Sequence, residues 1–306
     1  MSVQVPTAFV DQYKANILLL SQQKESLLRQ CCRMEPITGD AMYVERVGAT
    51  EMQLIADRHG DTPQIDTPHS RRKLTLADYN WNDYIDTLDR LKMLIDPQGT
   101  YAVNAVMAAN RTIDDIIITA LGGAALSGHA GGTTVYNYDV GECRLVQSTG
   151  AIRAAGSDWS DVAETGLTIA KILTCKQLLD DADIDPSRKR YFVTNPYNIN
   201  QLLNTTEVKS SDYNTVKALA QGHIDSYCGF KFLQSTRLPA DDTDTGATKC
   251  YAFAQDAIVL AIPKEPTVRV SERADKNYTT QVYVEMSLGA TRVEGPAVVG
   301  ILLDTE

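Results

Sequence analysis

The sequence predicts an α+β fold, because three different patterns share one chain of 306 residues. One long amphipathic helix lies near residue 110. Two strand-like stretches before it bracket a polar segment, and helices alternate with strands after residue 161. A chain of this length can bury a large core in one elaborate domain or in two.

The long helix is predicted from Asp96 to Gly123. Asp96 fits the N-cap, and Pro97 fits the first helical position, where its missing N–H costs nothing. Gly122 and Gly123 provide the stop. About 25 residues at 1.5 Å each make a rod of roughly 37 Å, about twice the average length. One apolar stripe follows i, i+4 spacing along it: Tyr101, Ala105, Ala109, Ile113, Ile117 and Leu121.

The segment before this helix predicts a projecting arm. Residues 8 to 33 read as a first helix, which packs either on another subunit or on its own domain. Strands at Ala41–Val47 and Lys73–Tyr79 bracket ADRHGDTPQIDTPHSRR, which is too polar to build a core. Long loops of this kind are usually functional or disordered. Five polar residues of this arm are candidates for intersubunit contacts, the alternative being solvated side chains: Arg58, His59, Asp61, Arg71 and Arg72.

The Gly-rich stretch after the helix, LGGAALSGHAGGTTVYNYDVGE, has only part of the pattern of a phosphate-binding loop. Gly123 and Gly128 have the required separation, but His129 and Ala130 stand where Lys and Ser or Thr are needed. The stretch is therefore predicted to be a flexible connector.

An α/β module and two terminal strands follow. Helices are predicted at Thr168–Asp180, from Asn195 to Leu203 and at Ser211–Gln221. Strands are predicted at Tyr191–Thr194, Phe230–Gln234 and Tyr251–Ile262, with Ala257–Ile262 buried on both faces. The tail adds Gln281–Leu288, whose even-numbered residues are apolar, and Val298–Leu303. These two tail strands are expected to pair and to pack along the long helix.

Composition excludes several classes of protein. A net charge of −10 and a pI near 4.9 disfavour a dedicated nucleic-acid binder, which needs clustered Lys and Arg. Six cysteines without a CxxC pair indicate reduced thiols. No apolar run is long enough to span a membrane, and the N-terminus lacks the features of a signal peptide.

The sequence carries no recognisable catalytic or metal-binding motif. The four histidines lack metal-ligand spacing. Asp241, Asp242 and Asp244 lack the Gly and Glu of a calcium loop and indicate a solvated acidic loop. Asp114 and Asp115 are adjacent on a helix, so they point about 100° apart and do not act as a pair. No catalytic, cofactor or metal site is predicted. A cytosolic α/β enzyme built on residues 161–262 remains an alternative, but it would need convergent polar groups at strand ends, and none can be named.

The order of these parts resembles the HK97-like fold of tailed-bacteriophage major capsid proteins. TPHSRRKLTLADYNWNDYIDTLD is similar to the returning strand of that family's extended loop. PQGTYAVNAVMAANRTIDDIIITALGG is similar to its spine helix, including an Asp late in the helix. RKRYFVTNPYNINQLLN, YCGFKFLQSTRLP and KCYAFAQDAIVLAI are similar to its axial domain, and MSLGATRVEGPAVVGILLD to its closing strand pair.

This resemblance implies a domain plan. Residues 1–38 would be an N-terminal arm, and 39–79 the extended loop. Residues 80–150 would be the peripheral domain with a spine helix at 97–122. Residues 151–262 would be the axial domain, and 263–306 the C-terminal strands of the peripheral domain.

The resemblance also implies a function, that of a non-enzymatic major shell protein. Subunits would form pentamers and hexamers through the axial domain near Pro239–Ala247, which makes Asp241, Asp242 and Asp244 further contact candidates. The extended loop would lie over a neighbouring subunit. The icosahedral virion shell, assembled in the bacterial cytoplasm, would enclose double-stranded DNA. No cofactor and no membrane are implied. Expected partners are other capsomers, a portal, a separate scaffold and a possible cement protein. An encapsulin-type compartment shell is the alternative within the fold.

One departure from the family pattern carries its own prediction. In some members, subunits are covalently crosslinked by isopeptide bonds between an Asn and a Lys of the extended loop. This chain has no Lys between Ala41 and Arg72, so no such crosslink is expected.

Overall fold

The computed structural model describes residues 21–55, 60–62, 64–86, 98–132, 134–136, 144–146, 165–204, 225–240 and 247–304. Three α-helices are α1 (Gln98–Gly122), α2 (Ile169–Asp181) and α3 (Pro196–Asn204). The early strands are β1 (Arg33–Met34), β2 (Ala41–Val47), β3 (His69–Thr75), β4 (Ala77–Ile85), β5 (Ala125–Ser127), β6 (Thr134–Tyr136) and β7 (Arg144–Val146). The later strands are β8 (Arg190–Thr194), β9 (Ser226–Tyr227), β10 (Phe230–Gln234), β11 (Ala247–Ala254), β12 (Ile258–Arg273), β13 (Thr279–Arg292) and β14 (Val298–Asp304).

The described residues form two compact units. The smaller draws on the described residues within 21–25, 78–111 and 264–287. The larger draws on Ser26–Ala77, Thr112–Pro263 and Leu288–Glu306. Helix α1 and strands β12 and β13 contribute residues to both units. The domain boundaries expected from sequence stay a prediction.

The predicted long helix is present. Its apolar stripe is buried at Ala105, Ala109, Ile113, Ile117 and Leu121. The expected first helix over 8–33 is wrong where the chain is described, because residues 21–28 are irregular and only Arg29–Cys31 form a short 3-10 turn. Residues 8–20 and the expected helix at 211–221 lie outside the described residues. In the part of the chain that the structure covers, no helix combines the length and apolar character that a membrane span requires.

A six-stranded sheet in the larger unit has the order β7-β14-β11-β8-β10-β9. Strand β8 pairs in parallel with β10 and antiparallel with β11, whose other neighbour is β14. A core of side chains from this sheet, α2 and α3 includes Phe192, Leu202 and Ile301. Thr168 caps α2 by accepting a hydrogen bond from the Lys171 N–H.

Two expectations for strands fail here. The stretch Tyr251–Ile262 is not one strand, because a 3-10 turn at Gln255–Ala257 separates β11 from β12 and sends them to different sheets. The tail strands do not pair with each other, since β14 lies between β11 and β7 while β13 lies beside β12. Burial of Ala257–Ala261 is confirmed.

A four-stranded sheet in the larger unit has the order β2-β3-β5-β6. Strands β5 and β6 arise from the Gly-rich stretch, so the expected flexible connector is a hairpin instead. The expected strand at Lys73–Tyr79 is divided at Leu76 between β3 and β4.

The remaining sheet has the order β1-β12-β13-β4. The alternation expected in the tail is confirmed along β13, where Val282, Val284, Met286 and Leu288 are buried.

Candidate functional site

The base of the extended hairpin is held rigidly. Strands β2 and β3 pair without interruption from Ala41 opposite Thr75 to Val47 opposite His69. The pairing continues with a Gly48 N–H donated to the Pro68 carbonyl at 2.8 Å. The inner face of the hairpin packs on a small core that includes Val44 and Leu74. The direction in which residues 49–67 leave the body is therefore set by a folded base.

Side chains at this base tie the hairpin to its surroundings in the larger unit. The Arg46 guanidinium donates to the Val293 carbonyl at 2.7 Å, and the Tyr43 hydroxyl donates to the Ala130 carbonyl at 3.0 Å. The Ser127 hydroxyl donates to the Arg71 carbonyl at 2.9 Å. These bonds link strands that are far apart in sequence.

Arg71 and Arg72 occupy opposite faces of β3. Arg71 pairs with Glu45 at 2.9 Å across the hairpin, and its guanidinium lies 5.6 Å from the centre of the Tyr43 ring. Arg72 is 1% exposed and points to the same side as Leu74. Strand alternation could have shown this, because residues two apart share a face. The structure therefore places Arg72 inside the protomer rather than among the exposed contact candidates.

The other contact candidates are mostly not described. Asp61 is exposed, in keeping with a surface role. Arg58, His59, Asp241, Asp242 and Asp244 lie outside the described residues. The candidates are not brought together into one described cluster.

Sequence reasoning missed the apolar residues of the extended loop. Past the paired base the side chains of Met52, Leu54 and Ile55 are 99%, 92% and 84% exposed. Val47 and Ile65 on the two sides of the loop are 64% and 43% exposed. Scattered apolar surface residues are normal, but such a concentration in one short segment is unusual for the surface of a soluble protein. The signal was in the sequence, because EMQLI places three large apolar residues directly before the polar stretch.

The long helix carries two adjacent carboxylates with separate tasks, as the 100° argument predicted. Asp114 is buried and accepts from the Ser26 hydroxyl at 2.5 Å and from the Leu27 and Leu28 N–H groups at 3.1 Å each. Asp115 forms a bidentate ion pair with Arg237. The hydrogen bonds of this pair are the main reason that the pKa of the Arg237 guanidinium is raised. Asp114 thus fixes the chain that follows the N-terminal segment, while Asp115 anchors the loop after β10.

The C-terminal end of α1 is closed by tertiary contacts. The buried Arg292 guanidinium donates to the Leu121 carbonyl at 2.8 Å. A Cβ on Gly122 would lie 2.2 Å from the Tyr251 hydroxyl oxygen, so only glycine fits there without movement.

Four of the described cysteines, Cys31, Cys32, Cys175 and Cys250, are buried, and Cys228 is partly exposed. Burial raises the pKa of the Cys250 thiol to about 11 and that of the Cys31 thiol to about 12. Cys228 lines a cleft with Lys176, Asp180 and Arg190, and burial raises its pKa as well. Arg190 in that cleft pairs with Asp180 at 2.7 Å, a structural arrangement. No group of His, Cys, Asp and Glu suited to a metal ion occurs among the residues that the structure covers.

The sequence matches a family model described as phage capsid protein over residues 5–305. The chain therefore belongs to the phage capsid protein family. No curated protein matches the sequence. The family and the fold are those of a structural protein, and they place this chain in the virion capsid as a bacteriophage major capsid protein.

Solved structures of phage capsids show the same fold at low sequence identity. The capsid of cyanophage P-SCSP1u is 16% identical, with a TM-score of 0.76 over 100% of this chain and 96% of that one. The head structure of Helicobacter pylori bacteriophage KHP40 is 12% identical, with a TM-score of 0.73 over 100% and 99% of the two chains. The capsid asymmetric unit of cyanophage Pam1 is 15% identical, with a TM-score of 0.73 over 98% and 97%. The predicted α+β, HK97-like fold is confirmed.

Proposed function

We propose that this capsid protein assembles with copies of itself, through pentamers and hexamers, into an icosahedral head that encloses double-stranded DNA. The observation that carries the proposal is the cluster of exposed apolar side chains on the extended loop. A loop that leaves Met52 and Leu54 almost fully in water has its stable state against another surface. A neighbouring subunit, repeated around a closed shell, supplies that surface at every copy.

The size of the effect supports this proposal. Burying a Met or Leu side chain contributes about 1.5–3 kcal/mol, so Met52 and Leu54 together offer roughly 3–6 kcal/mol per subunit. The rigid β2–β3 base lowers the entropy lost when the loop docks. Because each subunit makes and receives such a contact, modest energies add up over a shell.

The remaining partners follow from charge and family. A chain with a net charge of −10 touches packaged DNA weakly and without sequence preference. The Arg and Lys residues that face the genome would provide this contact. Assembly in the host cytoplasm would use a separate scaffold and a portal, and a cement protein is a further partner. The match to a phage capsid family favours a genome as cargo over the enzyme cargo of an encapsulin.

Expression of the chain, alone and with its phage's scaffold, tests the proposal. Sedimentation is expected to show capsomers or megadalton shells, and negative-stain images are expected to show rings or closed particles. A 34 kDa monomer in every salt and scaffold condition, with no rings or shells, would overturn it.

Loop variants test the observation itself. Met52→Ser combined with Leu54→Ser is expected to abolish closed shells while the far-UV circular dichroism of the subunit stays unchanged. Gln53→Ser is the matched control, because it changes a polar residue between them and should assemble normally. Normal shells from the double variant would show that these apolar side chains do not carry assembly.

A further inference from the structure

The outer half of β12 forms an exposed strand edge in the smaller unit. On the side away from β13, β1 pairs only with Val259 and Leu260. From Thr267 to Arg273 every side chain is exposed, and no described strand lies against that side. A long free edge invites pairing with another strand and is normally blocked.

The side chains on one face of this edge follow an ordered pattern. Strand residues two apart share a face. The even-numbered side chains from 264 to 272 read, in order, basic, apolar, apolar, apolar, acidic. They are Lys264, Pro266, Val268, Val270 and Glu272. Val268 and Val270 are 37% and 49% exposed, which is high for two neighbouring valines in a strand.

This pattern is complementary to itself when the strand is reversed. An antiparallel copy with Val268 opposite Val268 sets Lys264 against Glu272 at both ends of the pairing. Between them Pro266 faces Val270, so the apolar side chains of the two copies meet in the centre. Cross-strand pairs of opposite charge and of β-branched residues are the stabilising pairs in sheets.

The opposite face agrees with the same register. Glu265 would face Ser271 and Thr267 would face Arg269, so no two like charges stand directly opposite. Moving the axis to Arg269 would oppose two guanidinium groups, and moving it to Thr267 would set Lys264 against Val270. One register is therefore favoured over its neighbours.

The Lys264 ammonium pairs with Glu285 on β13 at 2.5 Å, and the Arg269 guanidinium lies 3.7 Å from the same carboxylate. Pro266 has no N–H, so its pair with Val270 forgoes at most one backbone hydrogen bond per copy.

We propose that the β12 edges of two copies of this chain pair antiparallel across a twofold axis at Val268. The contact is isologous, since the same surface serves both partners. Two short strands bury too little area for a stable dimer in solution. The contact therefore acts within an assembled shell, where other contacts hold the copies together, and in this it rests on the proposed function.

Position-specific crosslinking tests the register. Val268→Cys puts the new thiol opposite its own copy, whereas Val270→Cys puts it opposite Pro266. Oxidised shells of Val268→Cys are expected to give a disulfide dimer on a non-reducing gel, with the linkage between the two positions 268 located by mass spectrometry. Shells of Val270→Cys and of the wild type are expected to give no such band. Equal dimer from the two variants, or none from Val268→Cys in intact shells, would overturn the register.

Hydrogen exchange of the wild-type chain tests the pairing without any substitution. The amides of 267–273 are expected to exchange at least tenfold more slowly in shells than in dissociated subunits. Unchanged exchange in intact shells would contradict the pairing of the β12 edges and would leave the proposed function untouched. Failure of the wild type to form shells would instead overturn the proposed function on which it rests.

Charge reversal gives an independent check. Glu272→Lys is expected to weaken the slowing of exchange, because it opposes two cations in the paired register. Adding Lys264→Gln should restore part of the slowing, since two cations then no longer stand opposite each other. A double variant no better than the single one would contradict the pairing of these two residues.

Discussion

Replacing Asp114 with Ala should destabilise the larger unit far more than replacing Asp115, its neighbour on the long helix. The Asp114 carboxylate is 1% exposed and accepts hydrogen bonds from Ser26, Leu27 and Leu28. Each hydrogen bond to a charged group contributes about 1.5–3 kcal/mol, and the Leu28 N–H would be left buried without its acceptor. Allowing for local relaxation, the expected loss is about 3–5 kcal/mol, in the range of exceptional single substitutions.

Asp115→Ala provides the matched control at the next position. Its partner Arg237 and its own side chain are 33% and 41% exposed, and such pairs contribute at most about 1 kcal/mol. Asp114→Asn should fall between the two, because it keeps the shape but loses the charge and one acceptor oxygen.

Urea denaturation of the unassembled chain, followed by circular dichroism, would measure these losses. Hydrogen exchange of residues 22–31 would locate them. Equal losses for Asp114→Ala and Asp115→Ala, or unchanged exchange in Asp114→Ala, would refute the capping role.

Three further outcomes are expected. Gly122→Ala should cost about 1–3 kcal/mol because its Cβ would meet the Tyr251 hydroxyl at 2.2 Å, and Tyr251→Phe in the same chain should recover part of it in a double-mutant cycle. Burial lowers the pKa of Lys171 from 10.5 to about 8. Between these two pH values the unfolded chain keeps the proton on this lysine and the folded chain has lost it, so folding becomes more favourable as the pH rises. The free energy of unfolding of wild type relative to Lys171→Met should therefore rise between pH 8 and 10.5, by up to about 3 kcal/mol, and a flat or falling difference would contradict this. Denaturing gels of assembled particles should show single subunits, since the chain has no Lys between Ala41 and Arg72, whereas a covalent ladder would disprove that.

The contact candidates show where sequence reasoning stops. The polar loop drew attention to its charged residues, yet the structure shows Arg71 paired with Glu45 and Arg72 buried. The exposed apolar side chains Met52 and Leu54 lie just before the polar stretch and were not among the predicted contact candidates. Charge alone does not show exposure, because a strand places alternate residues on opposite faces and its neighbours decide which face is covered.

Local patterns along the chain determined the elements whose signals are local. The stripe from Ala105 to Leu121 identified the long helix, and the alternation from Val282 to Leu288 identified the buried face of β13. Both periods depend only on backbone geometry, so a single sequence reveals them. The separate tasks of Asp114 and Asp115 followed from the same geometry.

Only the tertiary structure decided which strands become neighbours. Nothing in the apolar run after Tyr251 indicates that a 3-10 turn at Gln255–Ala257 directs the following strand into a different sheet. Nor does Val298–Asp304 show that it will pair with β11 rather than β13. Strand pairing joins residues far apart in sequence, and its free energy depends on which complementary surface is available after folding. The sequence therefore specified the long helix and the buried strand faces, while the sheets and the exposed edge of β12 emerged only when the whole chain was packed.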